Sequence, residues 1–274
     1  TDVWTEYAEM EMRNGNLHRA KELLQRATTV PAQTGGKKQN IYSTLNEPVQ
    51  KKVYKQTRLW SLYADLEESI GTFESTCAVY EKMMELKLVT PAILLAYAQY
   101  LEENKHFEDA FKIYERGVNM FVWPQVYHIW IMYLTKFVKR YAGKKLERAR
   151  DLFEQAIQKC SPEFAKNLFL MYAKLEEDYG LARHAMTIYD RATRAVKDTE
   201  ILDIYKIYIA RTAEYYGVTK TRDIYEHAVN ALPDKISKEL CIAYADLERK
   251  LGEIDRARAI FAHASRFADP RVDS

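Results

Sequence analysis

The sequence predicts an all-α fold, a right-handed α-solenoid of about seven helical hairpins, and three observations predict it. A tyrosine recurs at Tyr7, Tyr63, Tyr97, Tyr133, Tyr172, Tyr208 and Tyr244, at intervals of 56, 34, 36, 39, 36 and 36 residues. A sustained period of this size marks an array of small supersecondary units. The residues around each tyrosine keep helical spacing, and glycine and proline fall at fixed places between them. Two stretches show the repeated phrase: LEEDYGLARHAMTIYDRA at 175–192 and LERKLGEIDRARAIFAHA at 247–264.

In the first helix of each repeat, helix A, a bulky residue stands three positions before the tyrosine: Trp4, Trp60, Leu94, Trp130, Phe169 and Tyr205, with Cys241 the small exception. Four positions after it stands Glu11, Glu67, Glu176 or Glu248, replaced by Leu101, Phe137 and Thr212 in the other repeats. Offsets of i, i+3 and i+7 put the three on one helical face. Helix B carries a small residue, an aromatic four positions on and another small residue three further. Examples are Ala110, Tyr114 and Gly117; Ala185, Tyr189 and Ala192; Ala257, Phe261 and Ala264; Tyr225 is the corresponding aromatic of the sixth repeat. A single hairpin cannot bury such a face, whereas stacked hairpins hide a continuous core. The aromatic residues therefore read as packing. A base-stacking platform would need exposed rings among basic residues. A buried glutamate must be paired, and Arg26, Lys82, Arg116 and Arg191, six positions past the small helix-B residue, are the expected partners.

The punctuation agrees. Gly15, Gly71, Gly180 and Gly252 stand between helix A and helix B, where a left-handed residue ends the first helix. Gly217 and Gly143 occupy the same connection in two more repeats, and Asn104 beside Lys105 in the third. Pro31, Pro91, Pro124, Pro162, Pro233 and Pro270 follow helix B, where proline stops one helix and turns the chain into the next. The repeats are expected at 1–31, 47–91, 92–124, 125–162, 163–198, 199–233 and 234–270. The long interval holds a polar loop at 32–46, AQTGGKKQNIYSTLN. After it EPVQKKVYKQTRLW, with Pro48, Val49, Val53 and Trp60 on helical spacing, predicts an unusually long helix A. Opening at Thr1 in an amphipathic stretch, the chain reads as a piece of a longer protein.

Composition narrows the function classes. Of 274 residues 47% are hydrophobic and 29% charged, enough for a sizeable core, and the net charge of +2 gives no global footprint of a nucleic-acid binder. Cys77, Cys160 and Cys241 are scattered and odd in number, so no disulfide framework or CxxC pair is expected and a reduced compartment is. No apolar run approaches a membrane span. GGKK at 35–38 lacks the spacing of a phosphate-binding loop. His18, His106, His128, His184, His227 and His263 form no metal-ligand motif, and no GxSxG is present. No catalytic residue, cofactor, metal or small-molecule substrate is expected. One stretch stands out. KFVKRYAGKKLERAR at 136–150 holds Lys136, Lys139, Arg140, Lys144, Lys145, Arg148 and Arg150 against the single acid Glu147, at the tip of the fourth hairpin. The first five are candidates for contact with RNA phosphates or an acidic partner. Arg148 and Arg150 lie on helix B and are expected to be structural.

The unit W/F-x-x-Y-x-x-x-E-x-x-x-G…A-R-x-I/L-Y/F-x-R-A…P resembles the HAT (half-a-tetratricopeptide) repeat. LWSLYADLEESIGTFEST, KKLERARDLFEQAI, LEEDYGLARHAMTIYDRATRAV and KLGEIDRARAIF are similar to the SYF family of HAT-repeat pre-mRNA-splicing factors, also described as xeroderma pigmentosum group A-binding proteins. The resemblance runs through all seven repeats and the insertion. It implies a nuclear, non-catalytic scaffold of the NineTeen-associated complex of the spliceosome, partnered by other spliceosomal proteins including a crooked-neck-like HAT protein, with a link to transcription-coupled repair in animal members. It supplies no catalytic residues. The alternative function is a direct RNA-binding module using the basic tip at 136–150.

Overall fold

The computed structural model describes residues 2–30 and 53–266. Among these the regular structure is helical: α1 (Asp2–Arg13), α2 (Leu17–Thr28), α3 (Thr57–Ile70), α4 (Phe73–Glu85), α5 (Pro91–Glu103), α6 (Phe107–Met120), α7 (Tyr127–Tyr141), α8 (Leu146–Gln158), α9 (Pro162–Tyr179), α10 (Ala182–Ala195), α11 (Ile201–Tyr216), α12 (Arg222–Ala231), α13 (Asp234–Lys250) and α14 (Ile254–Ala264). Short 3₁₀ turns at Ala142–Lys145 and Val218–Thr221 lead into α8 and α12. Odd-numbered helices are the A members and even-numbered ones the B members of successive hairpins. This is the all-α, solenoid-forming architecture that the period predicts. The loop at 32–46 lies outside the described residues, as do Pro48 and Val49.

The helix starts follow from local chemistry. Pro91 and Pro162 take the first-turn positions of α5 and α9, where a missing N–H costs nothing. Thr72 caps α4: its side chain accepts from the Ser75 N–H while Ser75 Oγ accepts from the Thr72 N–H, so two otherwise orphaned donors are satisfied reciprocally.

The A-to-B connections are of two kinds. Gly15 (φ 79°), Gly217 (φ 87°) and Gly252 (φ 83°) take the left-handed region, as expected. In the third and fourth repeats the left-handed residue is Lys105 (φ 67°) rather than Asn104, and Ala142 (φ 46°) rather than Gly143. Gly71 (φ −80°) and Gly180 (φ −109°) do not adopt it at all. What requires glycine there is space: a Cβ on Gly71 would collide with Glu67 Oε2, and one on Gly180 with Glu176 Oε2. The E-x-x-x-G spacing thus lets the glutamate fold over the helix end. Its carboxylate then reaches donors at the start of the next helix, Ser75 Oγ at 2.7 Å from Glu67 Oε2 and the Leu181 backbone N–H for Glu176.

The long helix expected before Trp60 is interrupted. Gln56 is extended (φ −81°, ψ 112°) and α3 begins at Thr57. The Tyr54 carbonyl, which in a continuing helix would accept from a backbone N–H four residues on, accepts instead from Trp60 Nε1 at 2.6 Å.

The helices gather into two compact groups, residues 1–133 and 134–274. In the first, Leu59, Trp60, Tyr63, Met83, Leu94, Tyr97, Tyr114, Trp130 and Tyr133 are buried. In the second, Leu152, Phe153, Leu168, Phe169, Tyr172, Tyr189, Tyr205, Tyr225 and Tyr244 are. Trp4, Tyr7 and Tyr208 are half-buried. Phe261, expected in the packed stripe, is 41% exposed. Its counterparts are covered by the helix A that follows, and among the described residues no helix follows α14.

Candidate functional site

The repeated side chains meet at joints between one helix B and the next helix A. In the first group Tyr80 stacks on Tyr97 (centroids 4.6 Å apart) and Tyr114 on Tyr133 (5.5 Å). In the second, Phe153 stacks on Tyr172 (5.1 Å), Tyr189 on Tyr208 (5.8 Å) and Tyr225 on Tyr244 (4.9 Å). The hydroxyls are used as well. Tyr97, Tyr133 and Tyr244 donate to Glu81, Glu115 and Glu226, the residue that follows the helix-B aromatic. Tyr80, Tyr114 and Tyr189 donate to Glu68, Glu102 and Glu177 of their own helix A. Burial and the facing carboxylates both disfavour the phenolate, and Tyr172 and Tyr244 are pushed up to about 12. Tyr63 is also pushed up to about 12, by burial and then by Glu67.

The glutamates are deeply buried: Glu67 and Glu176 are 1% exposed and Glu248 is 0%. Their partners are not the residues six positions past the small helix-B residue but those one position past it. Lys21 Nζ lies 2.8 Å from Glu67 Oε1. Arg150 donates twice to Glu176, Nε to Oε1 at 2.6 Å and Nη2 to Oε2 at 2.7 Å, and Arg222 does the same to Glu248 at 2.6 and 2.8 Å. Such a residue sits within the first five residues of helix B, and the glutamate it meets stands in the last turn of the following helix A. Arg116 and Arg191 lie farther along helix B and bridge instead to Glu81 and Glu154 on the preceding helix B. Where the glutamate is absent within a group so is the cation: Leu101 goes with Cys77 and Thr212 with Met186, the last pair touching through Thr212 Oγ1 and Met186 Sδ at 3.1 Å.

Burial pushes the Glu176 carboxyl up. The Arg150 donors and charge, the Leu181 N–H and His184 together outweigh it and hold the carboxyl below its ordinary value. Glu154 is lowered too, by Arg191 first. A carboxyl with a depressed folded value contributes stability above its unfolded value, about 4.3 for glutamate, and loses it as pH falls through the folded one. The thermal midpoint is therefore expected to hold from pH 7 to 5 and fall below about 4.3, with Glu176→Gln showing a shallower acid fall than the unmodified chain. Parallel acid limbs for the two proteins would remove Glu176 from this account.

The basic tip occupies the last turn of α7 and the 3₁₀ turn after it. Lys139, Arg140, Lys144 and Lys145 are exposed and Lys136 is half-buried. Lys145 Nζ lies 3.8 Å from the centre of the Tyr141 ring. Arg150 leaves the cluster for Glu147 and Glu176, and the exposed Arg148 stays on the surface of α8. The turn thus brings four exposed cations together on one hairpin end. What the sequence reading missed is the acid following most of the helix-B aromatics; its recurrence at Glu81, Glu115, Glu154, Asp190 and Glu226 was the available signal.

No helix among the described residues is long and apolar enough to cross a membrane. The whole chain, residues 1–274, matches the model of the Pre-mRNA-splicing factor Syf1/CRNKL1 C-terminal HAT repeat. It is 54% identical over 270 residues to pre-mRNA-splicing factor SYF1 of Rattus norvegicus, covering 98% of this chain and 31% of that protein. Against pre-mRNA-splicing factor cwf3 of Schizosaccharomyces pombe it is 45% identical over 274 residues, covering 99% of this chain and 34% of that one. The chain spans about a third of the length of these relatives. Among solved structures, the C-terminal part of a TPR repeat-containing protein from Cytophaga hutchinsonii aligns at a TM-score of 0.43 and 13% identity, covering 98% of this chain and 96% of that one. A match along its full length, together with identities of 45% and more, places the chain in the Syf1/CRNKL1 C-terminal HAT-repeat family.

Proposed function

We propose that the chain is a non-catalytic scaffold segment that serves pre-mRNA splicing in the nucleus through protein–protein contacts along its helical surface. Its partners would be other spliceosomal proteins, a crooked-neck-like HAT protein among them. The observation that carries this reading is the use made of the repeated side chains. The stacked aromatics and the buried glutamates, the residues from which a binding or reacting site would be built, are engaged with one another in the joints. What remains for recognition is the outer surface of the helices and the hairpin ends. The relatives' names supply the splicing context, and the proposal extends to transcription-coupled repair as a further role.

The second reading, direct contact with RNA, rests on Lys139, Arg140, Lys144 and Lys145, exposed together at one hairpin end. Clustered cations at a turn suit phosphates, and Lys136 lies beside them on α7. A pull-down from nuclear extract separates the readings, comparing the chain with a variant whose four exposed tip cations are reversed, with and without ribonuclease. Splicing proteins retained after ribonuclease are the expected result. Loss of all partners on ribonuclease treatment, with RNA recovery collapsing in the variant, would replace the scaffold by the RNA module.

A further inference from the structure

A surface that holds an unpaired nucleic-acid strand needs two things side by side: cations for the phosphates and open aromatic faces for the bases. The repeat aromatics fail that test, because they stack on one another inside the joints. Three tyrosines outside the repeat positions meet it. Among the described residues the exposed tyrosine, tryptophan and phenylalanine side chains are Tyr179, Tyr215, Tyr216 and Phe261. Tyr179 is the last residue of α9, and Tyr215 and Tyr216 are the last two of α11. All three therefore stand at hairpin ends of the second group. The described hairpin ends of the first group carry no exposed ring.

These rings lie among cations. The backbone of the basic turn rests against Tyr179: a Cβ built on Gly143 would stand 3.4 Å from Tyr179 Cδ1, and the exposed Lys144 and Lys145 come next in that turn. At 45% exposure the Tyr179 ring stays open beyond that contact. Four residues on, across the connection, Arg183 lies in the first turn of α10. It lines one groove with Tyr216 and Lys220, and all three are exposed. The acids of that groove, Asp190 and Asp223, stand farther along α10 and α12, and Arg194 holds Asp190 at 2.7 Å. Glu214, beside Tyr215, is taken by Arg211 at 2.8 Å. Asp178, exposed beside Tyr179, is outnumbered by Lys144, Lys145 and Arg183. The hairpin ends of the fourth, fifth and sixth repeats thus form one edge on which open rings alternate with positive charge.

We propose that this edge binds single-stranded RNA: the basic turn, Arg183 and Lys220 hold phosphates, and Tyr179 and Tyr216 stack bases. The combination selects the ligand. An acidic peptide would use the cations and leave the rings idle, and a duplex keeps its bases stacked inside and offers the rings nothing. An unpaired strand uses both. Every base has a face to stack, so the edge tolerates any sequence. The inference rests on the RNA reading of the basic tip and adds to it the form of the RNA and the residues that meet its bases. It leaves the rest of the helical surface to protein partners.

The probe is a fluorescein-labelled RNA about a dozen nucleotides long, within the range such surfaces cover, without self-complementarity and titrated against the chain by fluorescence anisotropy. Saturable binding that weakens with added salt is expected. Tyr179→Ala with Tyr216→Ala should weaken it about tenfold or more, whereas phenylalanine at both positions should leave it nearly unchanged. Lys144→Glu with Lys145→Glu should weaken it and flatten its salt dependence. All four side chains are exposed, so circular dichroism should show unchanged helix content. The same strand paired with its complement should bind far more weakly. If binding follows the lysines and ignores the tyrosines, or if the duplex binds as well, the basic tip still contacts RNA and this inference falls alone. Absence of saturable binding removes both. An equal loss in the phenylalanine variant would assign the contact to the hydroxyls and overturn the stacking. An oligoglutamate of equal charge that displaces the RNA at the same concentration would give the edge to an acidic protein instead.

Discussion

Replacing Arg150 by alanine is expected to lower the stability of the folded chain by about 3–5 kcal/mol, the range for removing one partner of a buried ion pair. Glu176 is 1% exposed and takes both of its strongest hydrogen bonds from the Arg150 fork. Without Arg150 the carboxylate keeps the Leu181 N–H and the neighbouring His184, whose Nδ1 lies 3.6 Å from Oε2. Neither replaces a full positive charge, and a buried charge without one is far costlier than an unmade neutral hydrogen bond. Arg150→Lys should fall between, since an ammonium restores the charge but not the planar two-point fork. The informative comparison is the double change Arg150→Met with Glu176→Leu, which should recover most of the loss. The chain holds precedents for it: Cys77 with Leu101 and Met186 with Thr212 occupy the same two positions without charge. Urea unfolding of the three variants decides the matter. A loss under about 1 kcal/mol for Arg150→Ala, the size of an exposed pair, would mean that solvent reaches Glu176 and the joint is not sealed.

That covariation also shows where sequence reasoning reached and where it stopped. The period, the helical faces and the hairpin punctuation are local or evenly spaced, so a single sequence displays them; the fold class and the A-to-B order follow. The glutamate's partner does not lie at an evenly repeated offset within its own repeat. It lies one position past the small residue of the preceding helix B, 26 residues before the glutamate for both Arg150 with Glu176 and Arg222 with Glu248. Aligning repeats on their tyrosines hides a pairing that crosses repeats, whereas matching charged with charged and apolar with apolar across the boundary reveals it. The glycines teach a similar lesson. Gly71 and Gly180 were expected for backbone conformation and are needed for the room a carboxylate takes, a reason that depends on where a side chain four residues away folds. Phe261 was expected to be buried because its repeat position is, and position within a repeat fixes burial only where a neighbour covers it. The basic tip was legible as composition, and its place on helix B marked Arg150 as structural, but the carboxylate that takes it was not legible. Arg150 is withdrawn by Glu176, 26 residues on.

Trp60→Ala is expected to cost about 3–5 kcal/mol, the range for emptying a large aromatic side chain from a packed core. Trp60 is 2% exposed and is among the largest fully buried side chains of the first compact group. Its ring lies 6.2 Å from that of Tyr63 at 47°, so its loss removes aromatic contact as well as filled volume. It has a second task. Its indole N–H holds the Tyr54 carbonyl at 2.6 Å, which ties the turn before α3 to the helix at the point where the expected long helix breaks. Trp60→Phe separates the two contributions. It keeps most of the volume and loses the donor, and should cost about 1 kcal/mol for the hydrogen bond plus a smaller packing loss. If filling the core is the larger effect, the alanine variant must lose several times more than the phenylalanine variant in the same urea titration. Equal losses would shift the weight to the Tyr54 tie, and would make the turn before α3, rather than the aromatic core, the element that Trp60 secures. A loss near zero for Trp60→Ala would mean an exposed ring, and with it a helix A whose aromatic stripe faces solvent instead of the preceding repeat.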